Sequence, residues 1–139
     1  MGRIVAIDYG TKRVGIAATD PLKIIASGLT TVPAEQAVKF LTDYARQEEV
    51  EALVIGLPLR LNDELSEVEK DIQKFIQRLK KELPELPIHR QDERYTSKMA
   101  METMVAGGVK KKNRRKKELL DQVSATLILQ AYLEANNGL

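Results

Sequence analysis

Arg3-Ile4-Val5-Ala6-Ile7-Asp8-Tyr9-Gly10-Thr11-Lys12-Arg13-Val14-Gly15-Ile16-Ala17-Ala18 is the stretch on which the fold turns. Two apolar runs rich in β-branched residues, Arg3 to Ile7 and Arg13 to Ala18, flank Tyr9-Gly10-Thr11-Lys12, which holds the glycine a tight connection needs. That arrangement predicts a β-hairpin. After the turn signal Asp20-Pro21, Ile24 to Val32 supplies a third strand, so the chain opens with an antiparallel meander.

Beyond Pro33 the period of the apolar residues changes. Ala37, Val38, Leu41, Tyr44 and Ala45 recur every three or four positions, which predicts an amphipathic helix ending before Val50. Glu51 to Pro58 is a nearly continuous apolar run and suits a strand buried on both faces. A second helix is expected from about Leu65 to Leu83, with Val68, Ile72, Phe75, Ile76 and Leu79 inward and Pro84 as its stop. Leu86 to Gln91 reads as a fifth strand, Ser97 to Ala106 as a helix halted by Gly107-Gly108, and Lys117 to about Ala135 as the last helix. No repeat, low-complexity linker or domain boundary interrupts this order. The expectation is one domain over residues 1–139, of α/β class, in which a mixed five-stranded sheet of three antiparallel plus two parallel strands is flanked by helices.

Three carboxylates stand beside these apolar elements. Asp8 closes the first strand, Glu93 follows Asp92 just after the fifth, and Asp121 interrupts the stripe Ala125, Ile128 and Tyr132 on the last helix. An ionised carboxylate costs several kcal/mol or more to desolvate unless it is paired or bound to a metal, so acids in such places suggest a cation site. If strands one, four and five are parallel neighbours, Asp8 and Glu93 share the carboxyl edge of the sheet, where open α/β sheets bind ligands. With Asp121 from the crossing helix they could hold two divalent ions about 4 Å apart for an in-line displacement. Each acid also has a plainer reading: Asp8 as a turn residue, Glu93 as an exposed loop charge with Arg94 paired nearby, Asp121 as a first-turn charge favoured by the helix dipole.

Charge is distributed unevenly. Seven of the eight residues from Lys110 to Lys117 are cationic, namely Lys110, Lys111, Lys112, Arg114, Arg115, Lys116 and Lys117. Removing those seven from the 22 Lys and Arg leaves 15 against 20 acidic residues, so the remainder carries −5 within a chain of net charge +2. A run of this kind can be only a solvated loop; it also displaces counterions from a polyanion, and its contrast with an acidic remainder favours a nucleic-acid partner. Lys12, Arg13 and Arg94 are further candidate phosphate contacts. Aromatic residues make up 4% with no tryptophan, so base stacking is poorly supported. Cysteine is absent and His89 is the single histidine, which leaves oxygen donors and therefore Mg2+ or Mn2+ as the metal to expect. His89 itself reads as a strand surface residue. With neither a signal-peptide pattern at the start nor an apolar stretch of membrane-spanning length, a cytoplasmic protein without a membrane partner is expected.

Four segments together resemble the YqgF family of RNase H-like proteins, also described as Holliday junction resolvases and pre-16S rRNA nucleases. They are Asp8-Tyr9-Gly10-Thr11-Lys12-Arg13-Val14-Gly15, Val54-Ile55-Gly56-Leu57-Pro58-Leu59, Asp92-Glu93-Arg94-Tyr95-Thr96-Ser97, and Lys117 through Asp121 leading into Ser124-Ala125. Where the family often has a glycine turn after the second segment, this chain has Leu61-Asn62-Asp63-Glu64. The resemblance implies an RNase H-like fold with Asp8, Glu93 and Asp121 as its catalytic, metal-binding centre. It further implies phosphodiester hydrolysis on structured nucleic acid, foremost 5′-end maturation of pre-16S rRNA within a pre-ribosomal particle, by a monomer or homodimer. Cleavage of four-way branched DNA is the alternative, and a two-fold dimer would suit it. Asp-x-Gly-Thr at a hairpin also resembles the phosphate-binding turn of actin-like ATPases and sugar kinases, but those enclose a nucleotide between two lobes and 139 residues supply one. A non-catalytic RNA-binding factor is the remaining class, opposed by the retention of all three acids.

Overall fold

The computed structural model describes residues 2–58, 67–92 and 117–136, and in it the opening hairpin forms as expected. Strands β1 (Arg3–Tyr9) and β2 (Arg13–Thr19) pair antiparallel, with Asp8 opposite Gly15 and Tyr9 opposite Val14. Asp8 therefore lies inside the strand rather than at its close. The connection depends on Gly10, where an added Cβ would stand 2.7 Å from the Arg13 carbonyl oxygen.

Strand β3 (Ala26–Pro33) completes the meander against β2, but it starts two residues later than its apolar run suggests. Ile24 and Ile25 stay in the connection and are 70% and 63% exposed. The cause is Asp20. One of its carboxylate oxygens accepts from the backbone N–H groups of Ile24 and Ile25 at 2.8 Å each, and the other from Leu22 at 3.2 Å. A side chain has taken donors that strand extension would have used, and these hydrogen bonds, that of Ile25 foremost, hold the Asp20 carboxyl below its ordinary pKa.

A single 3-10 turn at Ala34–Gln36 leads into α1 (Ala37–Gln47), followed by β4 (Val50–Leu57), α2 (Glu69–Glu82), β5 (Ile88–Asp92) and α3 (Lys117–Asn136). Strand β4 pairs parallel with both β1 and β5, giving the sheet order β3-β2-β1-β4-β5. The mixed five-stranded sheet is thus the one expected. Its fifth strand starts two residues later than expected and ends one later, because Pro87 has no N–H to give and offers only its carbonyl to Leu53, at 2.9 Å. Asp92 consequently ends the strand instead of following it. Helix α2 starts at Glu69, after a turn at Glu67 and Val68. The proposed start at Leu65, the helix from Ser97 to Ala106 and the Gly107-Gly108 stop lie outside the described residues.

Alternation along the strands sorts the core into two layers. Val5, Ile7, Val14, Ile16, Leu53 and Ile55 face α1 and α2, where they pack with Leu41, Ile72, Phe75 and Leu79. Ile4, Ala6, Ala17 and Val54 face the other way and pack under Ala125, Ile128 and Leu129 of α3. Each large aliphatic side chain buried this completely contributes roughly 2 kcal/mol. Small residues on the α3 side let that helix lie close to the sheet. No helix among the described residues is long and apolar enough to cross a membrane.

On the α2 side, the carboxyl ends of β4 and β5 are tied by a charge pair. The Arg90 guanidinium donates to both oxygens of Glu69, at 2.7 and 2.8 Å, and also to the carbonyls of Ile55 and Gly56, at 3.2 and 2.9 Å. Gln73 donates to the same carboxylate. The Glu69 side chain is only 9% exposed, and the hydrogen bonds from Arg90, opposed by desolvation, hold its carboxyl below the usual value of 4.5. A depressed carboxylate pKa stabilises the fold above the unfolded-state value and stops doing so as pH falls through the folded one. Glu69→Ala should therefore cost about 3 kcal/mol at pH 7, since it strands a half-buried guanidinium. Urea unfolding from pH 7 down to 3 should show the wild type losing more stability than Glu69→Gln, with the two curves converging as pH falls through the lowered carboxyl pKa.

Candidate active site

Parallel pairing puts the carboxyl ends of β1, β4 and β5 on one edge of the sheet, at matched heights: Ile7 is level with Ile55, and Leu57 with Asp92. Asp8 belongs to this edge. Because Ile4 and Ala6 pack under α3, alternation places Asp8 on the α3 face as well, while its neighbour Tyr9 turns to the opposite layer. The Tyr9 ring lies 4.9 Å from that of Phe75 on α2, and burial, followed by the nearby Asp71 charge, raises its phenol above the ordinary pKa. Tyr9 thus fixes the strand end that carries Asp8.

Asp121 reaches the same place from the helix. The stripe expected of α3 is observed, with Ala125 and Ile128 buried and Tyr132 packed on the same cluster. What the stripe alone does not specify is where α3 comes nearest the sheet. One point of close approach is Gly15, directly across the β1–β2 ladder from Asp8. A Cβ built on Gly15 would overlap the Asp121 main-chain carbonyl and stand 2.9 Å from the Asp121 Cβ. Cross-strand partners such as Asp8 and Gly15 have Cα atoms about 5 Å apart. Asp121 therefore sits over the residue beside Asp8, and both acids are half-buried on one face.

Gly15 ends the first of the segments that carry the family resemblance, and its close approach to Asp121 also has a signal in the residue order. A glycine inside a strand of Val, Ile and Ala packs nothing itself and commonly marks the close approach of another backbone. Arg13 is the second finding. Its Nε donates to a carboxylate oxygen of Asp121 at 3.1 Å, so this expected phosphate contact is engaged with one of the acids. Lys12 lies exposed in the hairpin connection. His89 is an exposed strand residue, as expected, with its ring 5.5 Å from that of Tyr132.

Glu93, Arg94, Lys110, Lys111, Lys112, Arg114, Arg115 and Lys116 lie outside the described residues. Lys117 is the first residue of α3. Among the described residues no group of three or more acids or histidines forms a metal cluster. Two acids, Asp8 and Asp121, are brought together; the third candidate directly follows Asp92, which ends β5 at the same edge. The donors available here are hard carboxylate oxygens, and a cation already stands against one of them in the form of Arg13. A divalent oxygen-seeking metal fits that chemistry.

Comparison with known proteins bears on the family and the fold. The family model described as RuvX: Holliday junction resolvase, the YqgF family that the sequence resembles, matches residues 2–135. A Bacteroides fragilis protein named "Putative pre-16S rRNA nuclease" is 54% identical over 134 residues, covering 96% of this chain and 97% of its own. A Christiangramia forsetii protein of the same name is 54% identical over 133 residues, covering 96% and 98%. Among solved structures, Thermus thermophilus RuvC in complex with a Holliday junction substrate superposes with a TM-score of 0.60 at 18% identity, covering 99% of this chain and 97% of that one. The RNase H-like fold of RuvC is therefore the fold of this protein.

Proposed function

The chain belongs to the RuvX family, and from that membership and the shared face of Asp8 and Asp121 we propose that it is a metal-dependent nuclease hydrolysing phosphodiester bonds in the 5′-end maturation of pre-16S rRNA. Its closely similar relatives carry that substrate in their names. The observation that carries the reading is the placement of Asp121 over Gly15, which brings a helix carboxylate beside a strand carboxylate at the carboxyl edge of the sheet.

In this reading Asp8 and Asp121 hold Mg2+ or Mn2+, and Glu93, next after the last residue of β5, completes the set. When bound, such ions lower the pKa of water and neutralise charge building on the phosphate and the leaving oxygen. The protein's part is to fix the carboxylates before substrate arrives. Strand pairing fixes Asp8, the Gly15 contact fixes Asp121, and Arg90 with Glu69 fixes the end of the sheet from which Glu93 continues. The cationic residues Lys12 and Arg94 and the seven between Lys110 and Lys117 draw in and orient the polyanion. One domain in the cytoplasm, associated with the pre-ribosomal particle, is sufficient for end trimming of a single strand.

Four-way DNA is the second substrate reading, favoured by the description of the matching family and by the junction-bound RuvC structure. Incubating the protein with a precursor 16S rRNA fragment and with a synthetic four-way junction, each with Mg2+ and with Mn2+, separates the two. Shortening of the rRNA 5′ end with an intact junction is expected; the reverse would exchange the substrates, and no cleavage of either would overturn the nuclease reading. Neutralising Lys110, Lys111, Arg114 and Arg115 together should lower affinity about tenfold or more at 0.1 M salt and flatten log K against log salt by up to about 4 units. An unchanged slope would leave the run as a solvated segment.

A further inference from the structure

The described face carries one cation whose position the nuclease reading does not explain. Arg13 was expected to meet phosphate; its Nε instead lies 3.1 Å from an Asp121 carboxylate oxygen. Both side chains are partly withdrawn from water, at 30% and 23% exposure, so the pair is less screened than one on the open surface. It is also held in register from below. Arg13 begins β2, Gly15 two residues on is pressed against the Asp121 backbone, and the strand and helix cannot separate without losing the Ala17, Ala125 and Ile128 packing next to it. The Asp121 main chain is held against Gly15, whereas the Arg13 guanidinium stands at the end of a long side chain.

We propose that Arg13 is a resident counter-ion of Asp121 that a divalent cation must displace, so that Arg13 sets how tightly the free protein holds metal. This rests on reading Asp121 as a cation ligand. Two cations on one carboxylate oxygen repel each other, and a metal gains Asp121 fully only when the guanidinium moves off. A phosphate oxygen is the natural alternative partner for a displaced guanidinium, because arginine donates to phosphate and carboxylate alike. Metal and nucleic acid then favour one another's binding, since each stabilises the arrangement in which Arg13 has left Asp121. Arg13 is a positioning residue in this scheme and holds Asp121 against premature occupancy.

The test is a titration of the full-length, metal-free protein with Mn2+, followed by the loss of the free-ion electron paramagnetic resonance signal, without nucleic acid. Removing a partly buried pair should let Arg13→Gln bind Mn2+ about fivefold tighter than wild type. Lys12→Gln removes the same charge from the adjacent position and should change affinity by less than twofold. Arg13→Met preserves the apolar stem and should repeat the gain if Arg13→Gln does not fold, as a melt without metal would show. Equal or weaker binding by the folded Arg13 variants overturns the proposal, as does an equal gain from Lys12→Gln. Asp121→Asn separates this from failure of the underlying reading: wild-type Mn2+ affinity in that variant would show that Asp121 is no ligand, whereas lost affinity beside an unchanged Arg13→Gln sinks only the counter-ion role.

Discussion

Asp8→Asn is expected to bind an rRNA precursor with wild-type affinity and to cut it at least about 100-fold more slowly, since even an outer-shell partner of a metal ligand is commonly worth 10–100-fold. The substitution keeps the shape of the side chain and removes its charge. Asp8 is half-buried within β1, paired across the ladder with Gly15, so the amide occupies the same position and the strand is undisturbed. What is lost is one carboxylate charge on the face shared with Asp121, which the proposed nuclease reading makes a metal ligand. Single-turnover cleavage measured beside filter binding distinguishes the roles. Retained cleavage would remove Asp8 from the chemistry, and lost binding would make it a structural residue.

The second large effect is structural in origin and functional in outcome. Gly15→Ala adds one methyl group where the Asp121 carbonyl already lies, and main-chain atoms on both sides leave no flexible side chain to yield. Helix α3 must rise off the sheet, which loosens the layer formed by Ala17, Val54, Ala125, Ile128 and Leu129. Overpacking of a filled core costs about 1–3 kcal/mol and more where backbone must move, so a loss near 3 kcal/mol is expected, or roughly 10 °C in melting temperature. Cleavage should fall further than stability alone accounts for, because the displaced segment carries Asp121. An unchanged melting temperature would show that α3 does not approach β2 as closely as described.

Much of this was legible from residue order. The meander and the parallel strands followed from apolar periodicity and turn residues, because each strand's pattern reports which of its faces are buried. Asp8 and Asp121 stood out for a related reason, a charge placed where neighbours are apolar. Local competition limited that reading. Ile24 and Ile25 look like strand residues, yet the Asp20 carboxylate captures their N–H groups, and apolar character alone cannot foresee it. Arg90 and Glu69 are 21 residues apart and resemble ordinary surface charges until β5 and α2 are packed together.

Periodicity and composition were enough for the five strands, the described helices and their order, since these depend on near neighbours along the chain. The meeting of Asp8, Gly15, Arg13 and Asp121 belongs to the folded molecule alone. Arg13 and Asp121 are 108 residues apart, and their pairing depends on which strand α3 crosses and how near it lies. That nearness is a matter of one missing methyl group, whose consequence exists only once two distant segments are pressed together.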